Sequence, residues 1–340
     1  MSPVLSVLDL APVTEGSTPA DALRRSTELI RHVERLGYHR HWVAEHHNMP
    51  GIASSSPPVL IAHLAASTST IRVGAGGVML PNHASLVVAE QFGMLEALHP
   101  GRIDLGIGRA PGTDMVTAAA LRRSTNPADI EDSFPTQLRE LLDYFQGANP
   151  RITAVPAQGY QPALWMLGSS DYSAQVAGYL GVPFCHAHHF SANGTDAAVA
   201  AYRAAFRPSE VLDTPYVALG VPVICAPTND EATFLSGSSM LNYVRFRQGQ
   251  RTLLPSPEDA AARTFTPMEK ELTRGWRAPL IMGDPSEVRD GLEALATRTG
   301  ADELLLTTSI HGHAERMRSY ELVAEAFSMA SPAAVISLVG

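Results

Sequence analysis

The sequence predicts a (β/α)8 TIM barrel with insertions after the fourth and seventh strands, laid out as one domain over residues 1–340. Three observations lead there. Short, apolar, β-branched runs alternate with longer helical patterns along the 340 residues, giving eight strand-then-helix units. With 45% hydrophobic and 17% charged residues, the chain can bury a large core. The turn after the first strand reads Ala11-Pro12-Val13-Thr14, without the glycine fingerprint that a doubly wound dinucleotide-binding sheet carries there.

The elements follow in order. Strand one is read at 4–10, an apolar run ended by Ala11-Pro12. A helix over 20–36 aligns Leu23, Leu29, Ile30, Val33 and Leu36, and Gly37 stops it. Strand two (41–44) precedes a helix at 59–66, and strand three (71–80) precedes one at 86–98 that His99-Pro100-Gly101 ends. Strand four is 103–107. Segment 110–135, with Pro111-Gly112 and Asn126-Pro127, reads as an excursion before a helix at 138–145. Strands at 164–167, 182–185 and 216–225 alternate with helices at 173–180 and 196–206. A second excursion, 245–279, holds Gly249, Pro255, Pro257 and Pro267 and seven basic residues. It is expected to be a mobile lid whose Phe265 and Trp276 cover an apolar pocket. A helix at 288–296, the eighth strand at 303–308 and a helix at 314–327 complete the reading.

Composition removes several functions. A net charge of −9 argues against a nucleic-acid footprint and against an anionic membrane surface. Lys270 is the only lysine among 25 basic residues, so a Walker-type phosphate loop has none to use. Cys185 and Cys225 are too few for a disulfide framework or a four-thiolate metal site. No basic leader precedes an apolar segment, and no run approaches the ~20 apolar residues of a membrane span. A cytoplasmic protein is expected.

In a barrel the reactive side chains lie at the C-terminal ends of the strands. Strand two ends Glu45-His46-His47-Asn48, and strand three contains Gly74-Ala75-Gly76-Gly77. Glycines inside a strand suggest a flat ligand against the barrel wall, or else a bulge made for packing. Gly168-Ser169-Ser170-Asp171 before a helix suits a phosphate, although serine and aspartate are also ordinary caps. Arg109, after strand four, is a candidate counter-charge or a structural ion-pair partner. His46, His47, His186, His188 and His189 crown two strands, as the ligands of a metal-dependent barrel hydrolase would. However, the first strand lacks a His-x-His pair and the eighth does not end in aspartate.

Together these residues resemble the bacterial luciferase-like flavin monooxygenases, in particular the single-chain members of secondary-metabolism type. The carriers are residues 42–48 (Trp-Val-Ala-Glu-His-His-Asn), 73–81, Ala89-Glu90-Gln91, 100–109 and the turn from Leu167 to Ala174. The resemblance implies a barrel binding FMN at its C-terminal mouth. Arg109, Gly168, Ser169, Ser170 and Tyr172 would hold the phosphate. Gly76 and Gly77 would support the flavin ring through a non-prolyl cis peptide, and His46 would be the catalytic acid or base. It further implies reduced FMN supplied by a separate reductase, O2 as co-substrate, a C4a-peroxyflavin, and oxidation of a small organic substrate. No bound metal is expected. Gly108 stands where bacterial luciferase has a cysteine, which speaks against light emission with long aldehydes.

Three alternatives stay open: a deazaflavin (F420)-dependent dehydrogenase of the same fold, a non-catalytic flavin-binding protein, and the metal hydrolase. The helices at 59–66 and 86–98 are rich in apolar residues (Leu60, Ile61, Leu64, Ala65, Val87, Val88, Phe92, Leu95). They hold more of them than one barrel-facing stripe uses, and with the resemblance they imply a homodimer.

Overall fold

Continuous apolar runs without polar alternation suit strands covered on both faces, and the chain builds its sheet from such runs. The computed structural model describes residues 2–110, 113–122 and 127–329. Strands β1 (Val4–Asp9), β2 (Arg40–Val43), β3 (Arg72–Met79), β4 (Ile103–Gly108), β5 (Ala163–Gly168), β6 (Phe184–His186) and β7 (Val217–Cys225) lie side by side. After a three-residue β8 (Ile281–Gly283), strand β9 (Glu303–Thr307) pairs with both β7 and β1 and closes the ring. All these pairings are parallel, so the molecule is a closed eight-stranded (β/α)8 barrel, with β8 appended to the end of β7.

Helices α1 (Pro19–Arg35), α2 (Pro57–Ala66) and α3 (Ser85–Leu98) follow the first three strands. Thr18 caps α1 in a reciprocal box with Asp21, with proline in its first turn. The expected excursion after β4 is largely helical: α4 (Met115–Arg122), then α5 (Pro127–Gln146) with Pro135 inside it. Pro127 begins α5, where its missing N–H costs nothing, so what read as a breaker is a start signal. Pro111, Gly112, Arg123 and Asn126 lie outside the described residues. Helices α6 (Asp171–Leu180), α7 (Thr195–Ala205) and α8 (Asn229–Arg247) continue the alternation.

The second excursion is also corrected. It contains α9 (Pro257–Ala262) and α10 (Pro267–Arg277), each with proline in its first turn and a capping hydroxyl, Ser256 or Thr266. Trp276 packs against the cluster of Ile224, Ala226 and Leu280, and Phe265 lies beneath the Arg263 guanidinium. Neither lines the cavity described below. Helices α11 (Pro285–Thr299) and α12 (His313–Ala326) complete the outer layer.

The apolar residues of α2 and α3 that suggested a subunit interface have another role. Leu60, Ile61, Leu64, Ala65, Val88, Phe92 and Leu95 are buried in the core of the single chain, and of that set only Val87 is exposed. Different residues of the two helices, Val59, Met94 and Leu98, join Val87 at the surface.

Inside the barrel, a charged layer lies below the mouth. Arg40 donates to Glu303 through Nε and to Asp104 through Nη1, both at 2.7 Å. Asp104 also accepts from Trp42 Nε1 (2.9 Å) and Arg72 Nη2 (2.6 Å), and Tyr216 donates to Glu303. Burial opposes the Arg40 charge, but the two carboxylates overcome it and raise its pKa. The guanidinium lies over the Trp165 ring, which meets Trp42 edge-on. This layer fixes Trp42, whose ring is part of the floor above. Among the described residues, no helix is long and apolar enough to cross a membrane.

Candidate functional site

The C-terminal strand ends surround a cavity of about 450 Å³. Leu8, Trp42, Gly76, Gly77, Leu167, Cys185, Gly220 and Leu305 form its floor and lower wall. Of the three glycines read in strand three, Gly74 serves packing alone, since a Cβ there would sit 2.5 Å from Asp104. Gly76 and Gly77 do face the cavity. A Cβ on Gly77 would press on the Gly106 carbonyl at 2.6 Å, and the peptide between the two is cis. Neither position has room for a side chain.

The cavity is polar at one end. Arg109 follows β4, and Gly168, Ser169 and Ser170 lead into α6, with Ser173 behind them. Ser170 is the N-cap of α6 but makes no side-chain cap bond, so the first-turn N–H groups remain available to an anion. Tyr172 stands outside the lining, and its ring supports the Arg109 guanidinium at 4.4 Å. These residues fit a phosphate: a positioned cation, hydroxyls and a helix N-terminus meet at the cavity edge.

The rest of the wall is mostly apolar. Met115, Ala118 and Ala119 come from α4 and Phe190 from the loop after β6, with Met79 below them. The spacing of residues 115, 118 and 119 is a helical face, a signal legible in the sequence. Where luciferase has cysteine, a Cβ on Gly108 would meet the Met79 thioether at 2.9 Å, so Met79 takes that space.

His46 lies beside the cavity rather than in its lining. Its neighbours Glu45 and His47 turn to one side, where Glu45 accepts from His47 Nε2 (2.9 Å), His83 Nε2 (3.0 Å) and the Met79 N–H (3.0 Å). Burial works to raise the Glu45 pKa, but His83, His47 and the Met79 amide outweigh it and hold it below the usual range. His46, between Glu45 and His47, lies close enough to the cavity wall to lower the His189 pKa. The remaining histidines of the metal-hydrolase alternative have separate partners. His186 bonds the Ser191 carbonyl, His188 the Thr195 hydroxyl and His189 the Gly220 carbonyl. Among the described residues, no three candidate side chains converge as a metal site.

The second excursion contributes a latch rather than a cover. Arg251 donates to Asp114 Oδ2 (2.9 Å) and to the Asn48 carbonyl (3.1 Å). The other Asp114 oxygen caps the start of α4 through the Val116 and Thr117 N–H groups. One carboxylate thus ties α4, the loop after β2 and the segment after α8 together. The pair is partly exposed and adds little to stability. We expect Arg251→Ala to leave Tm within about 2 °C but to speed protease cleavage within α4 several-fold at low salt. Unchanged cleavage would show that α4 does not depend on the latch.

Comparison with known proteins agrees with this architecture. The family model described as luciferase-like monooxygenase matches residues 5–303. A luciferase-like monooxygenase of Escherichia coli K12 is 45% identical, covering 93% of this chain and 95% of its own. The N-acetyl-S-alkylcysteine monooxygenase of Bacillus subtilis 168 is 35% identical, covering 95% and 97%. The crystal structure of apo-MsnO8 superposes with a TM-score of 0.90 at 42% identity, covering 97% and 99%. The fold alone is shared with two more distant structures. They are the FMN complex of the oxygenating constituent of Pseudomonas putida 3,6-diketocamphane monooxygenase (TM-score 0.73, 18% identity, covering 98% and 100%) and an F420-dependent secondary alcohol dehydrogenase (0.71, 13%, covering 96% and 99%). The chain belongs to the luciferase-like monooxygenase family.

Proposed function

We propose that the protein is a flavin-dependent monooxygenase of the cytoplasm that takes reduced FMN from a separate reductase and uses O2 to oxidise a small organic substrate. The observation that carries this reading is the polarity of the cavity. Arg109, Ser169, Ser170 and the α6 N-terminus gather at one end, and a floor that includes Gly76 and Gly77 continues under apolar walls. When bound, FMN would supply the electrons that activate oxygen. The chain's own residues do the rest. Arg109, propped on Tyr172, and the serine turn bind the phosphate. Gly76 and Gly77 receive the ring face. Met115, Ala118, Ala119 and Phe190 keep water from the reacting side. His46 holds or moves a proton beside that space.

The test is direct. FMN affinity should fall about 10- to 100-fold in Arg109→Ala, since a charge-assisted contact is worth ~1.5–3 kcal/mol. Equilibrium titration of flavin fluorescence reads it. Unchanged affinity in a folded variant removes Arg109 from the site. Tighter binding of a deazaflavin than of FMN would turn the reading to a dehydrogenase, and binding of neither would end it.

The same reading includes a homodimer. Val59, Val87, Met94 and Leu98 leave an apolar strip on the outer side of α2 and α3, which a second copy would cover. Sedimentation at micromolar concentration should give about twice the 36.4 kDa chain mass, and a monomer mass would refute it.

A further inference from the structure

Apart from the phosphate end, the described residues of the cavity wall include one strong hydrogen-bonding side chain with capacity to spare, His189. The Trp42 indole N–H is already committed to Asp104, and burial raises the pKa of the Cys185 thiol, keeping it neutral. The remaining described lining away from the phosphate end is apolar or glycine, including Leu8, Met79, Met115, Phe190, Gly220 and Leu305. Among the described lining residues, a ligand lying over the floor therefore meets an apolar surface with one imidazole, His189.

The state of that imidazole follows from its surroundings. Its ring rests on Gly220, where a Cβ would come within 2.7 Å of Nδ1, so only glycine leaves room for it. Nδ1 is 3.0 Å from the Gly220 carbonyl, which also accepts the His189 backbone N–H at 2.9 Å. A carbonyl can only accept, so Nδ1 carries the hydrogen. Burial pushes the His189 pKa down to about 4, against the opposing Gly220 hydrogen bond, with the neighbouring His46, His188 and His186 pushing the same way as burial. At neutral pH the ring is uncharged and Nε2 is a bare acceptor. Among the described residues Nε2 has no hydrogen-bond partner, and it is not sealed from the cavity. Phe190, at 4.1 Å between ring centroids, braces the imidazole from the solvent side.

We propose that His189 selects the substrate: the site takes a neutral, largely apolar molecule that presents one O–H or N–H donor to Nε2. An anionic substituent would face a lone pair, and a molecule without a donor would leave the buried acceptor unsatisfied. Gly220 and Phe190 are the positioning residues that hold the acceptor in place. This inference rests on the flavin reading of the site, because it takes the phosphate end and the floor to be occupied by the cofactor.

The test uses a matched pair of probes, 4-propylphenol and its methyl ether 4-propylanisole, titrated into the FMN-loaded protein with flavin absorbance as the readout. The unaltered protein should bind the phenol about tenfold more tightly than the ether, the size expected of one hydrogen bond. His189→Phe, which keeps a planar ring over Gly220, should reduce the preference to less than about twofold while FMN affinity stays within about twofold. His189→Gln, which retains an acceptor oxygen, should restore part of it, and it serves as the probe variant if the phenylalanine variant does not fold. Equal affinities in the unaltered protein would overturn the proposal, as would a preference that survives His189→Phe. A tenfold loss of FMN affinity in His189→Phe would assign the residue to the cofactor instead. If the unaltered protein takes up no FMN, the flavin reading fails separately. The same pair titrated calorimetrically against the free protein then decides whether the acceptor discriminates.

Discussion

Asp104→Ala should lower stability by about 3–5 kcal/mol, the cost of removing one partner from a buried ion pair. That loss corresponds to a fall in Tm of about 4–7 °C for a chain of 340 residues. The carboxylate is completely buried and accepts from Arg40, Arg72 and Trp42 at once. Without it, Arg40 keeps a single carboxylate, Glu303, and the Trp42 indole N–H loses the acceptor its geometry is built around. An arginine inside a barrel cannot shed its proton to escape the cost. Because Trp42 is also part of the cavity floor, the variant should bind ligand more weakly even where it folds. Thermal unfolding of the purified variant provides the check. A Tm within about 2 °C of the unaltered protein would mean that the layer is not strongly coupled.

That charged layer also marks what a single sequence conceals. The strands were legible because burial on both faces removes polar alternation, leaving runs such as Ile103–Gly108 that read directly. Arg40 in such a run looks anomalous until its partners are known, and they lie 64 and 263 residues away. The three residues of β8 are too few to show any period. Proline misled the reading at Pro127, Pro257 and Pro267, each of which opens a helix rather than breaking one. The apolar content of α2 and α3 was read as surface because counting side chains does not assign them to faces. In fact Leu60, Ile61, Leu64 and Phe92 all point into the core.

For the site, the strand-end rule was enough to gather Gly76, Gly77, Arg109, Gly168, Ser169 and Ser170 around one cavity. It could not place His46 and Tyr172, which stand behind or beside the lining. It also gave no reason to separate His189 from His186 and His188. Only the Gly220 carbonyl does that, and it comes from the next strand.

His46→Ala should slow turnover by about 10²-fold or more while FMN affinity stays near that of the unaltered protein, as expected for a lost proton transfer. The residues after β2 serve different partners. Glu45 and His47 share one side, clamped to His83 and the Met79 amide at the end of β3. His46, between them, is near enough to the cavity wall to lower the His189 pKa. The clamp thus fixes the backbone from which His46 projects, without Glu45 or His47 touching the cavity. His47→Ala removes one of several donors to Glu45, so it should cost stability and a smaller share of rate. The measurement is steady-state turnover with a coupled reductase across pH 5–9, beside FMN titrations of both variants. The His46 variant should lose a limb of the pH profile that the His47 variant retains. If His47→Ala abolished turnover while His46→Ala left it intact, the proton-handling role would belong to the clamped neighbour.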